Sequence, residues 1–141
     1  MAAFNKFDQY VKDHIDGVHK FKAADDLLKV YLSNAVPSQT LDLIKTDLAE
    51  IIAENGYTAG GDDIQNDTSK SGATSSLTAV DVTVTASAGT IGPFQFIVAY
   101  NDTPITPLDP LISWWDRGSA LTLQDGESHT TDFGATVLGY T

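Results

Sequence analysis

Cysteine is absent from this 141-residue chain, which excludes disulfide bonds, thiol catalysis and cysteine-based zinc sites. No apolar run approaches the roughly 20 residues that a membrane-spanning helix needs, so no membrane partner is expected. Residues 1–6 lack the apolar stretch of a signal peptide, which predicts synthesis in the cytoplasm without secretion. A chain of this length fits one ordinary domain with its own core.

Basic residues are few, and they are unevenly placed. The net charge is −11; residues 1–47 contain seven acids and six bases, whereas residues 48–141 contain twelve acids with only Lys70 and Arg117. Such a surface repels phosphate backbones, so no nucleic-acid partner is expected. Acidity of this kind either favours a basic partner or simply keeps the protein dispersed.

Two segments have apolar residues at helical spacing. The first contains Phe4, Phe7, Val11, Ile15 and Val18, and the second contains Leu41, Ile44, Leu48, Ile51 and Ile52. Ser38 or Thr40 can cap the second segment, and Asn55-Gly56 can end it. Both stripes are one-sided, which predicts two helices that pack on another layer.

Alternation and β-branched composition predict strands elsewhere. The predicted strands are 28–33, 80–85, 94–100, 111–115, 121–124 and 133–140, with a hairpin turn at Asp125-Gly126. The fold class is therefore predicted as α+β, with two helices of the N-terminal half flanking an antiparallel β-sandwich that is jelly-roll-like. Residues 1–141 are expected to form a single domain, with a helix-strand-helix portion at 1–60 and a mainly β portion at 61–141.

Two stretches look irregular. Residues 60–76 are rich in small polar residues and are expected to form an edge strand followed by a mobile loop. Residues 101–110, here called the Pro-rich arm, contain Pro104, Pro107 and Pro110, which remove backbone donors and stiffen the chain. The arm is suited either to lie across a neighbouring subunit or to serve as a rigid connection within the domain.

No catalytic constellation is predicted. His14 and His19 are five positions apart, which does not suit a metal site on one helix face, so both are expected to be surface or helix-end residues. Ser128 and His129 are adjacent in a predicted strand, so the hydroxyl and the imidazole diverge. Glycines at 56–61 precede acidic residues rather than Lys-Ser/Thr, which excludes a P-loop.

Acidic residues in the loops leave one alternative open. Asp62, Asp63, Asn66 and Asp67 offer oxygen ligands suited to calcium, but their spacing is not that of an EF-hand. Solvated loop carboxylates are the simpler interpretation, and no metal or cofactor is expected.

Trp114-Trp115 is the most prominent aromatic feature. One indole of such a pair in a strand faces the core, and the other faces solvent or a partner. An exposed indole beside Asp116-Arg117 could stack on a sugar or anchor a protein interface, or both rings could be covered within the domain.

The chain resembles a family of small virion proteins encoded by tailed phages and prophages. The resemblance runs from end to end and rests on residues 4–7 (FNKF), 28–34 (LKVYLSN) followed by Pro37, 54–61 (ENGYTAGG), 92–94 (GPF), 100–102 (YND), 110–118 (PLISWWDRG), 121–123 (LTL) and 125–128 (DGES). The chain departs from many members at 20–26 and in the Pro-rich arm. The resemblance implies a non-enzymatic structural component of the phage particle and carries over no catalytic residues.

Within that class, capsid decoration (cement) is the first expectation, at the capsid exterior and with the phage major capsid protein as partner. A tail-tube, adaptor or fibre-base protein is the alternative, and a carbohydrate-binding module is the alternative from another class. A dimer or trimer is expected. The predicted contact residues, chosen because they are large or lie in the arm, are Phe4, Tyr57, Tyr100, Thr103, Pro104, Ile105, Pro107, Leu108, Trp114 and Trp115.

Overall fold

Antiparallel strands dominate the computed structural model of the chain, which describes residues 3–140 except for the side chain of Tyr140. The strands are β1 (Asn5–Lys6), β2 (Leu28–Ser33), β3 (Asp62–Asp63), β4 (Asp67–Ser71), β5 (Thr74–Thr78), β6 (Val82–Thr85), β7 (Ile91–Asn101), β8 (Leu111–Leu123), β9 (Ser128–Thr131) and β10 (Leu138–Tyr140). Within residues 3–140 the only α-helix is α1 (Asp8–Ile15), and a single 3₁₀ turn spans Lys45–Asp47. The coarse prediction of a small, mainly antiparallel α+β fold is confirmed.

The strands of this part of the chain form three sheets. The largest has the order β1-β8-β7-β2-β3, the second β10-β5-β4 and the third β6-β9, and all pairs are antiparallel. The predicted strand at 94–100 is confirmed as the central strand of the largest sheet. Residues 96–101 of β7 are all buried, so both faces of this strand are covered by other parts of the chain.

Strand β2 is confirmed at the predicted residues but is more buried than predicted. Tyr31 and Ser33, expected on a solvated face, are fully buried, and only Lys29 is partly exposed. The Tyr31 hydroxyl donates to Leu48 O at 3.0 Å, and the Ser33 hydroxyl donates to Ala49 O at 2.6 Å. The segment after residue 44 therefore covers the face that the alternation had assigned to solvent.

The prediction of a second helix was wrong. Residues 43–51 bond to neighbouring strands instead: Leu43 O accepts from Leu111 N at 3.1 Å, and Ile51 N donates to Leu32 O at 3.0 Å. Leu41 and Ile52 are exposed whereas Leu48 is buried, so the apolar stripe does not face one side. A helix this short is marginal on its own, and hydrogen bonds to strands satisfy the same backbone groups.

The first helix is shorter than predicted, and it buries a different face. Phe7 precedes α1 and is fully buried, while Val11 and Ile15 of the predicted stripe are exposed. Tyr10 and Asp13 are the buried residues of the helix. Tyr10 lies against the rings of Phe21 and His19, which explains why this face turns inward.

The predicted hairpin at Asp125-Gly126 was also wrong, although a tight turn is present. Glu127 N donates to Gln124 O at 2.9 Å, but β8 pairs with β7 whereas β9 pairs with β6. The predicted strands 111–115 and 121–124 are parts of the single strand β8. A hairpin with a two-residue turn lies instead at Gly72-Ala73, between β4 and β5, inside the stretch expected to be irregular.

We expect Gly61→Ala to destabilise the protein strongly. Gly61 has φ +72°, and a Cβ there would lie 1.8 Å from Val30 O, so β3 could not approach β2. Gly72→Ala is the control, because Gly72 has φ +59° and a methyl group added to it would meet no atom within 4 Å. Urea unfolding should show a loss for Gly61→Ala at least about 2 kcal/mol larger than for Gly72→Ala. Equal losses would contradict the close approach.

Candidate functional site

The Pro-rich arm connects the neighbouring strands β7 and β8, and its base is fixed within the chain. Asn101 N donates to Pro110 O at 3.0 Å, Asp102 N donates to Leu27 O at 2.9 Å, and Leu27 N donates to the hydroxyl of Thr103 at 2.8 Å. Ile105 and Leu108 form an isolated antiparallel bridge at the tip. The arm is thus a bonded connection within the fold whose tip projects into solvent.

Exposed apolar side chains distinguish this tip. Ile105 is 84% exposed and Leu108 is 54% exposed. Leu43 is also exposed, and its segment runs beside the end of the arm, where Ile44 bridges Pro110. We call Leu43, Ile105 and Leu108 the apolar ridge. Exposed apolar groups supported on a bonded backbone are suited to bury against a partner without a large ordering cost.

The bases near the apolar ridge are already paired within the chain. Lys29 Nζ lies 2.9 Å from Asp102, and Lys45 Nζ lies 2.6 Å from Glu50 and 4.8 Å from the centre of the Tyr31 ring. Asp109 forms no ion pair in the described part of the chain, and its pKa is raised by burial and secondarily by Asp102. The surroundings of the ridge therefore retain negative charge.

Three of the predicted contact residues are core residues, which corrects their assignment to a surface. Tyr57, Tyr100 and Trp115 are buried in the chain. The Tyr57 hydroxyl donates to Glu50 Oε1 at 2.7 Å, and the Tyr100 hydroxyl donates to Gly60 O at 2.7 Å. These rings hold the segment around residues 50–60 against β2 and β7, and they are not accessible to a partner.

The aromatic residues Phe4 and Trp114 are half-buried. Phe4 meets Trp115 edge-on with ring centres 5.7 Å apart, and Trp114 lies 4.7 Å from Phe7. The expectation that one indole of the pair faces the core is met by Trp115. Trp115 is buried and Trp114 is partly exposed, so only Trp114 could offer the stacking surface that the carbohydrate-binding alternative needs. Thr103, Pro104, Ile105, Pro107 and Leu108 are the predicted contact residues that the fold brings together.

A second feature is an open cleft of about 480 Å³ between β8 and β9. The β7–β8 ladder pairs Phe96 with Asp116 and Phe94 with Leu121, so residues 117–120 form a bulge opposite Gln95. Ile97 and Trp115 line the cleft together with Asp116, Arg117, His129 and Asp132. Trp115, Asp116 and Arg117 of the WWDRG string thus line the cleft.

The Ser128-His129 pair does not form a catalytic couple. The Ser128 hydroxyl lies 2.7 Å from the hydroxyl of Thr85 on the exposed face of the β6–β9 sheet. The His129 ring packs edge-on against the buried ring of Phe94, with centres 5.3 Å apart. The two side chains therefore face opposite sides of β9, as the alternation of a strand requires.

His19 is buried, which corrects the prediction of a surface or helix-end residue. It is 4% exposed, and its Nδ1 lies 3.1 Å from Asn101 Nδ2, which also donates to Asp26 Oδ2 at 2.6 Å. Asn66 lies beside this network, donating to Asp26 O and to Phe21 O. Burial lowers the pKa of His19 to about 4, against the opposing effects of Asp13 and Asp26. The sequence offered no signal for this network because its members are far apart along the chain.

The calcium alternative gains no support from the geometry. Among residues 3–140, no group of three or more acidic or histidine side chains is placed to hold a metal ion. Asn66 Oδ1 accepts from Leu28 N at 3.0 Å, and Asp67 Oδ1 accepts from Thr68 N at 2.8 Å. These two oxygens are therefore engaged with the backbone. No helix in the described part of the chain is long and apolar enough to span a membrane.

Comparisons with protein-family models, with curated proteins and with solved structures find no match to this chain. Over residues 3–140, the fold and the geometry together define a small, mainly antiparallel β protein with one helix, an apolar ridge and an open polar cleft.

We expect the stability of the protein to fall as the pH drops from 6.5 to about 4, in part through His19. Because the pKa of His19 is lower in the folded chain, the unfolded chain binds the proton first, and the folded state loses up to about 3 kcal/mol across this window. Denaturant unfolding at pH 7.5 and pH 4.5 measures the loss. The non-titrating variant His19→Gln should lose less stability over the same interval.

The control is His129→Gln, since His129 is only half-buried and its pKa is lowered by burial and Arg117. This variant should keep most of the pH dependence of the wild type. If His19→Gln and the wild type lose the same free energy between the two pH values, the buried network does not hold His19 neutral.

Proposed function

We propose that this chain is a non-enzymatic structural protein of a tailed-phage particle, and specifically a capsid decoration (cement) protein. In this role it binds the capsid exterior and bridges major capsid subunits. The observation that carries the proposal is the apolar ridge, which projects from a connection whose base is closed by the bond from Asn101 N to Pro110 O and is bonded to Leu27, just before β2. The class of protein, a structural component of the phage particle, is inferred from the end-to-end resemblance to small virion proteins.

The scaffold is proposed to act as a rigid, jelly-roll-like β-sandwich. Support comes from the long paired strands β7 and β8 and from the two smaller sheets around the same core. A rigid scaffold holds Ile105 and Leu108 at a fixed spacing, which lowers the entropy that binding must overcome. A ridge of only a few side chains gives modest affinity at one contact.

Repetition compensates for modest affinity. Binding to the assembled capsid but not to dissociated subunits stabilises the assembly by mass action, and a capsid presents the same site many times. The surrounding negative charge favours a basic surface on the partner and speeds its encounter. We also propose that the protein forms a dimer or trimer, because symmetric copies would engage several subunits at once.

A tail-tube, adaptor or fibre-base protein is the alternative within the same class. Such a protein would use the same apolar ridge against a different partner. The absence of enzymatic activity is supported by Ser128 and His129, which face opposite sides of β9.

We expect the double variant Ile105→Asp, Leu108→Asp to bind expanded, undecorated capsids at least tenfold more weakly than the wild type. Each substitution places a charge where an apolar side chain is to be buried, and tenfold corresponds to about 1.4 kcal/mol. Co-sedimentation measures the stoichiometry, and heating of the particles measures the gain in stability.

The matched control is Ile15→Asp, at a residue that is 78% exposed at the end of α1 and lies outside the ridge. This control should bind as the wild type does. If wild-type protein neither saturates the capsids nor raises their heat resistance, decoration is excluded and binding to purified tail tubes becomes the next test.

A further inference from the structure

Arg117 is the only arginine of the chain and one of two bases in residues 48–141. It lies in the bulge of β8 and lines the cleft. No carboxylate within residues 3–140 forms an ion pair with it. An unpaired guanidinium in a region with twelve acids is unusual, because partners of opposite charge are plentiful there.

The bulge fixes the position of this guanidinium. Arg117 Nη1 donates to Ser119 O at 2.7 Å, and its Cζ lies 5.9 Å from the centre of the fully buried Phe94 ring. His129 rests on the same ring. The side chains of Arg117 and His129 therefore both lie against the Phe94 ring, and both line one cleft. A guanidinium that is held in place loses little freedom when it binds an anion.

The neighbouring carboxylates accept hydrogen bonds from donors other than Arg117. Asp116 Oδ1 accepts from Gln95 Nε2 at 2.9 Å and from Gly118 N at 2.7 Å, and these bonds lower the pKa of Asp116. Asp132 Oδ1 accepts from Gly134 N at 2.7 Å. Both carboxylates line the cleft, where they can accept hydrogen bonds from a ligand.

The guanidinium and the two carboxylates are complementary to a ligand that carries an acidic group and hydroxyl groups. The guanidinium fork matches a carboxylate in bidentate geometry. A doubly charged phosphate would be repelled more strongly by Asp116 and Asp132 than a singly charged carboxylate. The cleft volume of about 480 Å³ is in the range of small-molecule sites.

We propose that the cleft between the β8 bulge and β9 binds a hydroxy-carboxylate such as an acidic sugar, with the carboxylate on Arg117 and the hydroxyls on Asp116 and Asp132. This site is separate from the apolar ridge and does not depend on the capsid role. It also differs from tryptophan stacking, because recognition rests on charge and hydrogen bonds.

Calorimetric titration with galacturonate, gluconate and N-acetylneuraminate tests this assignment, with galactose and galactose 6-phosphate as the neutral and phosphorylated comparisons. At least one of the three carboxylate compounds should bind. If galacturonate is the one that binds, galactose should bind at least tenfold more weakly than galacturonate. Arg117→Gln should weaken binding at least tenfold, and Arg117→Lys should restore only part of it because lysine lacks the fork.

The control is Lys70→Gln, which removes the other base of this region from the exposed strand β4. It should bind as the wild type does. Thermal unfolding of each variant verifies that the fold is intact. Failure of all three carboxylates to bind, tighter binding of galactose 6-phosphate, or unchanged binding by folded Arg117→Gln would each overturn the proposal. A trigalacturonate that binds more tightly than galacturonate would support the site and identify a polysaccharide as the source.

Discussion

Burial of β7 between β2 and β8 is the constraint on which the rest of the structure depends. Every residue from 96 to 101 is buried, so both faces of the central strand must be covered. On one side of the sheet, the segment around residues 50–60 is held by Tyr57 and Tyr100, whose hydroxyls donate to Glu50 and Gly60. Trp115 packs against Phe133 and Phe4 in the same core. The segment around residues 44–60 is therefore drawn against the sheet and has no freedom to form a helix.

Two exposed features, the Pro-rich arm and the cleft beside Arg117, lie where the β7–β8 ladder ends or is irregular. At one end, the connection between the strands becomes the Pro-rich arm and carries the apolar ridge. Further along, residues 117–120 lie opposite the single residue Gln95 of β7, so the chain bulges and places Arg117 over Phe94. Bulges of this kind direct side chains that a regular ladder would space evenly. The same pair of strands thus serves as both the core and the support of the exposed features.

Polar groups are also buried where β7 ends. Asn101 is fully buried and joins His19 and Asp26, which lie in the segment between α1 and β2. These buried hydrogen bonds tie together segments that are distant along the chain. The bonds of Asn101 thus connect the irregular stretch at residues 19–27 to the end of β7.

Local pattern alone determined the strands whose side chains are strongly β-branched or aromatic, and it determined their antiparallel class. The strand at 28–33 and the central strand at 94–100 were predictable because few other conformations suit such runs. The strands that pair with them were not predictable, because pairing depends on contacts between distant residues. Asp125-Gly126, for example, does turn the chain, but it leads from one sheet to another. The helical spacing of apolar residues at 41–52 led to a wrong prediction of a helix, because the backbone of this segment forms hydrogen bonds with neighbouring strands. Only the tertiary structure decided that Tyr57, Tyr100 and Trp115 are buried, that Ile105 and Leu108 are exposed, and that Arg117 and His129 both lie against the ring of Phe94.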